Sequence, residues 1–222
     1  MGGKNKKSIT WIIMIVLIIA GIGVHVYLLY DQYYKPVPIE KPVIYLYPTA
    51  DNTPVDVHLD FNGELLVLDP EYNLLDGWQV TADKNGTIHY GDKTYPYLFW
   101  EGDPFFQMDF YSGYCVAGNN TEAFLTKTLT ELGLNEQESE DFIEYWLPRM
   151  KNNKYNVISF QTENYTDNAT LTIDPAPDTI TRVFMAWYPS TKYVRIPQQQ
   201  LPEAPARTGF TVIEWGGAEI SK

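Results

Sequence analysis

Two glutamates in this chain each stand beside a tryptophan and a glycine, Glu101 in W-E-G and Glu214 in E-W-G-G. A pair of carboxylates about 5–10 Å apart can cleave a glycosidic bond, one acting as general acid and the other as base or nucleophile. An indole packed against one carboxyl would raise its pKa toward the range of a general acid. The two residues are far apart in sequence, however, and nothing in their spacing requires them to meet. The simpler reading makes each tryptophan a core anchor at a strand end, each glycine a turn and each glutamate a solvated charge.

Asp56, His58 and Asp60 alternate along one face of an expected strand and together offer oxygen and imidazole ligands for a divalent metal. An amphipathic strand needs polar residues there in any case, and no further ligand is visible. Cys115, in G-Y-C-V-A-G, could be a nucleophile with His58 or His89 as its base, but no catalytic signature surrounds it. Lone cysteines ordinarily pack as small hydrophobes. Tyr95, Tyr97 and Phe99 fall on one face of a strand, with Leu98 and Trp100 on the other, and an exposed row of rings is a surface on which sugars or prolines stack. Gly86, Gly91, Gly102 and the Gly216–Gly217 pair match no phosphate-cradling pattern and read as turn glycines. No motif calls for a cofactor.

These candidates need a folded domain to hold them. The chain has 222 residues, 15 % of them aromatic, with 17 tyrosines and 6 tryptophans, which argues for a β-rich core and against a disordered acidic tail. One cysteine excludes an intramolecular disulfide, so stability must come from that core. All 28 acidic residues follow position 30, together with 13 of the 16 basic ones. Nucleic acid and anionic lipid are poor partners for so negative a surface.

Residues 9–30 contain no Asp, Glu, Lys or Arg, a length that as a helix would cross a ~30 Å hydrocarbon core. The expected organisation is therefore a cytoplasmic N-terminus (1–8), a transmembrane helix acting as an uncleaved signal anchor (9–30), a proline-rich stalk (31–42) and an extracytoplasmic domain (43–222). Lys4, Lys6 and Lys7 before the span and Asp31 after it set the orientation, and Trp11 with Tyr27, Tyr30, Tyr33 and Tyr34 would mark the interfaces. A cleaved signal peptide is the alternative, although apolar sequence continues past Gly23. A chain beginning near Lys41 is expected to fold by itself.

Within that domain, period-2 alternation predicts strands at 43–47, 55–61, 65–68, 78–82, 87–90 and 95–100, a small antiparallel sheet or sandwich. Capping signals at Asn119/Glu122 and Asn135/Glu138, with Gly133 at a C′ position and Pro148 as a stop, predict a helical hairpin over 119–147. Strands return at 156–160, 170–173, 181–188 and 209–215. The fold class is α+β: a transmembrane helix, then a β-rich, sandwich-like ectodomain with a central helical hairpin, and 43–118 and 155–217 as possible submodules.

K-P-V-I-Y-L-Y-P (41–48), Y-L-F-W-E-G (97–102), L-G-L-N-E (132–136) with D-F-I-E-Y-W (141–146), and R-x-G-F-x-V-x-E-W-G-G (207–217) resemble a group of exported or membrane-anchored bacterial proteins without an assigned activity. The resemblance implies a bacterial, cell-surface setting and one coherent domain, and carries over no catalytic residue. The expected function is recognition of a cell-envelope component, a wall glycan or an envelope protein, by a membrane-anchored domain without chemistry. A hydrolase of wall glycan or peptide using Glu101 and Glu214, and a structural subunit of an envelope complex, are the alternatives.

Overall fold

The structure is a computed structural model describing residues 3–33 and 37–220, with side chains of the first helix given over 11–26. The chain divides into two compact units, one up to Pro36 and one from Val37 onward. The first is helix α1 (Gly3–Tyr33). Among the described residues no helix is long and apolar enough to cross a membrane. That finding overturns the expected transmembrane helix, and with it the signal anchor and the single-pass localisation that rested on it. The side chains of Lys4, Lys6, Lys7, Tyr27, Tyr30, Asp31 and Tyr33, and all of Tyr34, Lys35 and Pro36, lie outside what is described.

The second unit is β-rich. Its first sheet has seven strands in the order β3 (Gly63–Asp69), β7 (Leu98–Pro104), β1 (Glu40–Tyr47), β12 (Thr211–Glu219), β11 (Thr179–Ser190), β9 (Tyr155–Gln161) and β8 (Tyr114–Ala117). The second has five, in the order β10 (Ala169–Asp174), β2 (Thr53–Phe61), β4 (Trp78–Ala82), β5 (Ile88–Tyr90) and β6 (Lys93–Tyr95). Every described pairing between these strands is antiparallel except β11 with β12. The first half of the unit does not form a sheet of its own, because β1, β3 and β7 join the later strands while β2, β4, β5 and β6 join β10.

Strand alternation divides the interior into two cores. Ile44 and Leu46 of β1 and Phe184 of β11 point toward the five-stranded sheet, where they meet Val55, Trp78 and Ile88. Val43 and Tyr45, Val183 and Met185, and Ile213 and Trp215 point the other way, onto helices α2 (Thr121–Glu131) and α3 (Glu136–Met150). The layers are thus helix pair, seven-stranded sheet and five-stranded sheet.

The helix signals are in place at the turn between α2 and α3. Asn135 accepts from the Glu138 N–H while Glu138 accepts from the Asn135 N–H, a reciprocal capping box. Gly133 has φ +93° and Leu134 donates back to the Leu129 carbonyl, closing α2 with a left-handed C′ residue. The expected box at Asn119 is absent: α2 begins at Thr121 without a side-chain cap. Pro148 lies inside α3, which runs on to Met150. A short helix α4 (Glu163–Thr166) and strand β8 had no clear sequence signal.

The glycines of the E-W-G-G motif are strand residues, not turns. A Cβ on Gly216 would sit 3.0 Å from Pro42, and one on Gly217 would sit 2.6 Å from the Met185 carbonyl and 2.7 Å from the Trp146 ring. Only hydrogen at these positions lets Pro42 and Trp146 lie against β12. Gly102 is likewise within β7, whereas Gly86 and Gly91, with φ +89° and +58°, are turn residues.

The stalk ends earlier than its proline content suggests. Ile39 is fully buried and pairs with Gly102, and Glu40 receives the Arg149 guanidinium at 2.9 Å. A chain starting at Val37 should keep its melting temperature. One starting at Lys41 should lose about 2–3 kcal/mol from Ile39 alone, read by denaturant unfolding. Trp146→Ala, removing a fully buried ring from the helix–sheet core, should cost about 3–5 kcal/mol by the same measurement.

Candidate functional site

A break in the regularity of β1 builds the site. Lys41 has φ +59°, and the β1–β12 register shifts between Glu40 and Val43. Such a bulge re-aims one side chain out of the strand's alternation. The Lys41 N–H turns to Glu101 Oε1 at 3.3 Å, and its ammonium reaches the Tyr97 hydroxyl at 3.0 Å. The same Nζ lies 4.9 Å from the centroids of Tyr97 and Phe99 and 5.9 Å from that of Tyr145, so three rings face it.

This cation stands in an open cleft of about 740 Å³ between the seven-stranded sheet and α3. Tyr45, Tyr47 and Trp215 contribute from the sheet, Gln137, Asp141, Glu144 and Tyr145 from α3, and Pro96 with Tyr97 from the segment entering β7. Asn85, Gly86 and Thr87, from the turn joining β4 to β5, complete the lining. Gly86 is required there twice over, by its positive φ and because a Cβ would approach the Tyr47 ring to 2.7 Å. Tyr45 and Tyr47 share a face two residues apart, and Tyr97 packs edge-on to Tyr45 with centroids 5.5 Å apart.

The polar groups of the cleft are tied to one another. Tyr45 donates to Asp141 Oδ2 at 2.7 Å, and the Gln137 amide donates to Oδ1 at 2.9 Å. Tyr145 donates to Glu40 Oε2 at 3.0 Å. Burial, reinforced by these carboxylates, raises the phenols: Tyr145 is pushed up to about 12, and Tyr45 further. Tyr47 is also raised, by burial first and then by the nearby Glu138 carboxylate. Glu138 is itself fully buried and bound by the Arg207 guanidinium, which also donates to the Gly133 carbonyl.

Glu101 and Glu214 are not brought together. Trp100 donates its indole N–H to Glu214 Oε1 at 3.3 Å, so both point into the space between the two sheets, while Glu101, the next residue, points to the helix side. Glu214 is fully buried, accepts from Tyr165 at 2.9 Å and pairs with Arg182 at 2.5 Å. Burial alone would lower the Arg182 pKa, but the Glu214 carboxylate more than offsets it and the guanidinium stays charged. Tyr165 is held well above its ordinary pKa by burial and by the same carboxylate. This is a buried structural ion pair with an aromatic escort, not an acid facing solvent.

The row of rings is also divided. Tyr95 belongs to β6 and packs toward the core between the sheets, whereas Tyr97 and Phe99 pack on the helix side, because the chain changes sheet at Pro96. Asp56, His58 and Asp60 line the outer face of β2, with His58 Nδ1 3.4 Å from the Tyr72 hydroxyl. Among the described residues no group of three or more His, Cys, Asp or Glu could hold a metal ion. Cys115 Sγ accepts from the Val194 N–H at 3.3 Å, and His89 pairs with Asp83 at 2.8 Å, so neither histidine is offered to the thiol. The His89 contact, together with the Asn52 N–H, holds the Asp83 carboxyl below its usual range.

Sequence reasoning found Tyr97 but missed Lys41, Tyr45, Tyr47, Asp141 and Tyr145. Tyr45 and Tyr47 carried a signal, two tyrosines at period 2, and so did Asp141 and Tyr145 at helical i, i+4 spacing.

No protein-family model matches this chain, and no solved structure matches it. A protein of Butyrivibrio fibrisolvens described as an uncharacterised protein in the bglA 3′ region is 59 % identical over 63 residues, which are 28 % of this chain and 66 % of that protein.

The raised phenols fix an alkaline dependence. Their ordinary pKa is about 10, so the stability they contribute is complete below pH 10 and is lost as pH rises through their folded values, near 12 for Tyr145. Absorbance titration at 295 nm should show a class of tyrosines ionising only near pH 12 or on unfolding, and Tyr145→Phe should remove one member of it. A single transition near pH 10 for all tyrosines would contradict the burial described.

Proposed function

We propose that this protein is a recognition module that holds a glycan in the cleft between β1 and α3, without chemistry of its own. The observation that carries the reading is the juxtaposition, in one open concavity, of four tyrosines with side chains suited to hydroxyl groups. Sugar rings present C–H faces that stack on aromatics and hydroxyls that both donate and accept, and Tyr47, Tyr97 and Tyr145 meet the first need while Asn85, Gln137 and Glu144 meet the second. The cleft is also of the size in which small ligands are held. The hydrolase alternative is weakened, because Glu214 is committed to Arg182 between the sheets and Glu101 faces away from it.

The test is retention of oligosaccharides by the full chain, by affinity electrophoresis or on a glycan array. Tyr97→Ala and Tyr145→Ala should each weaken retention about fivefold, the equivalent of ~1 kcal/mol for one stacked ring. Tyr111→Ala, whose ring is 84 % exposed and not part of the cleft, should leave retention unchanged. Unaltered retention in both cleft variants would overturn the assignment. Release of reducing ends by the wild type, abolished in Glu101→Gln, would favour the hydrolase.

A further inference from the structure

Among the described residues, Lys41 is the one lysine or arginine lining the cleft. An ammonium has three N–H donors. One is given to the Tyr97 hydroxyl at 3.0 Å, and three aromatic rings hold the group in place, but among the described residues no carboxylate lies within 4.0 Å of it. The Glu101 carboxylate takes the Lys41 backbone N–H instead.

The other charges of the cleft are arranged differently. Both oxygens of Asp141 are occupied, one by Tyr45 and one by Gln137; the neighbouring Glu40 is occupied by Tyr145 and Arg149; and Glu144, the other carboxylate of the lining, stands exposed on α3. Asp141 is thus satisfied within the cleft, whereas two ammonium donors of a positioned, half-buried lysine have no partner among the described residues. A half-buried cation fixed by packing is a stronger receptor for an anion than a solvated one, since it has already lost part of its water and its side-chain freedom.

We propose that Lys41 is the specificity-determining residue of the cleft and pairs with a carboxylate carried by the ligand, so that the ligand is an acidic glycan containing uronic acid. The inference rests on the glycan reading above and adds the charge. It also predicts an inverted salt response. The acidic surface repels such a ligand at long range and added salt screens that repulsion, whereas the short contact to Lys41 is screened less. Raising ionic strength from 10 to 150 mM should therefore not release the ligand.

The experiment compares trigalacturonate and glucuronate-bearing xylo-oligosaccharides with their methyl esters, which keep the sugars and remove the charge. The full-length wild type should hold the acids at least tenfold more tightly than the esters. Lys41→Met should lose that preference and bind both as the wild type binds the esters, while Lys41→Arg, which keeps the charge, should retain most of it. Melting curves of both variants check that the bulge survives. Equal retention of acids and esters by the wild type would overturn the assignment of Lys41 and leave the glycan reading standing. Retention of none of these sugars or of any neutral oligosaccharide would overturn both.

Discussion

The central strands of the seven-stranded sheet are covered on both faces, and that constraint governs the rest of the unit. A strand buried on one side can leave alternate residues in water, but β12 and the middle stretches of β1 and β11 have no such freedom. Residues 43–46 and 210–218 are all buried, each assigned to one core or the other by its parity. A polar residue in these strands must bring its own partner. Glu214 does so with Arg182 on the adjoining parallel strand, Tyr165 and Trp100. Removing either charge would leave the other stranded in an apolar layer, at about 3–5 kcal/mol.

The same covering forces contacts so close that only glycine fits, and these tie the motifs near the two ends of the unit together. Pro42 lies against Gly216 and Trp146 against Gly217, so K-P-V-I-Y-L-Y-P and E-W-G-G are halves of one packing arrangement. The bulge at Lys41 immediately precedes this locked region. Because Pro42 is fixed against β12, the irregularity cannot slip along the strand, and the lysine is held at the mouth of the cleft.

The local elements were readable in advance because their determinants are local. Trp78–Ala82 alternates over its own five residues, and the Asn135/Glu138 box satisfies its donors within four. What escaped was whatever depends on partners distant in sequence. Tyr95 and Tyr97 look like neighbours on one face until the chain changes sheet at Pro96. Gly216 and Gly217 look like a turn until Pro42 and Trp146 are laid against them. The Lys41 bulge exists only relative to β12, so no window of sequence around residue 41 reveals it. The candidate site was accordingly legible in part: Tyr97 was chosen for its ring, while the lysine that it orients was passed over. Glu101 and Glu214 were singled out by their identical neighbours, a similarity without meaning once strand parity sends them to opposite faces.

The position of β12 has a further consequence for how the protein is made. Among the described residues it is the last strand in the sequence, yet it lies at the centre of the seven-stranded sheet, between β1 and β11. Until it arrives, β1 and β11 each present an unpaired edge and two apolar faces, and the pairing of residue 44 with residue 214 closes a loop of nearly the whole domain. Contacts of such long sequence separation form slowly. During synthesis β1 and β11 must wait with their apolar faces exposed until β12 has emerged, so the sheet cannot close before that strand is available to pair with both.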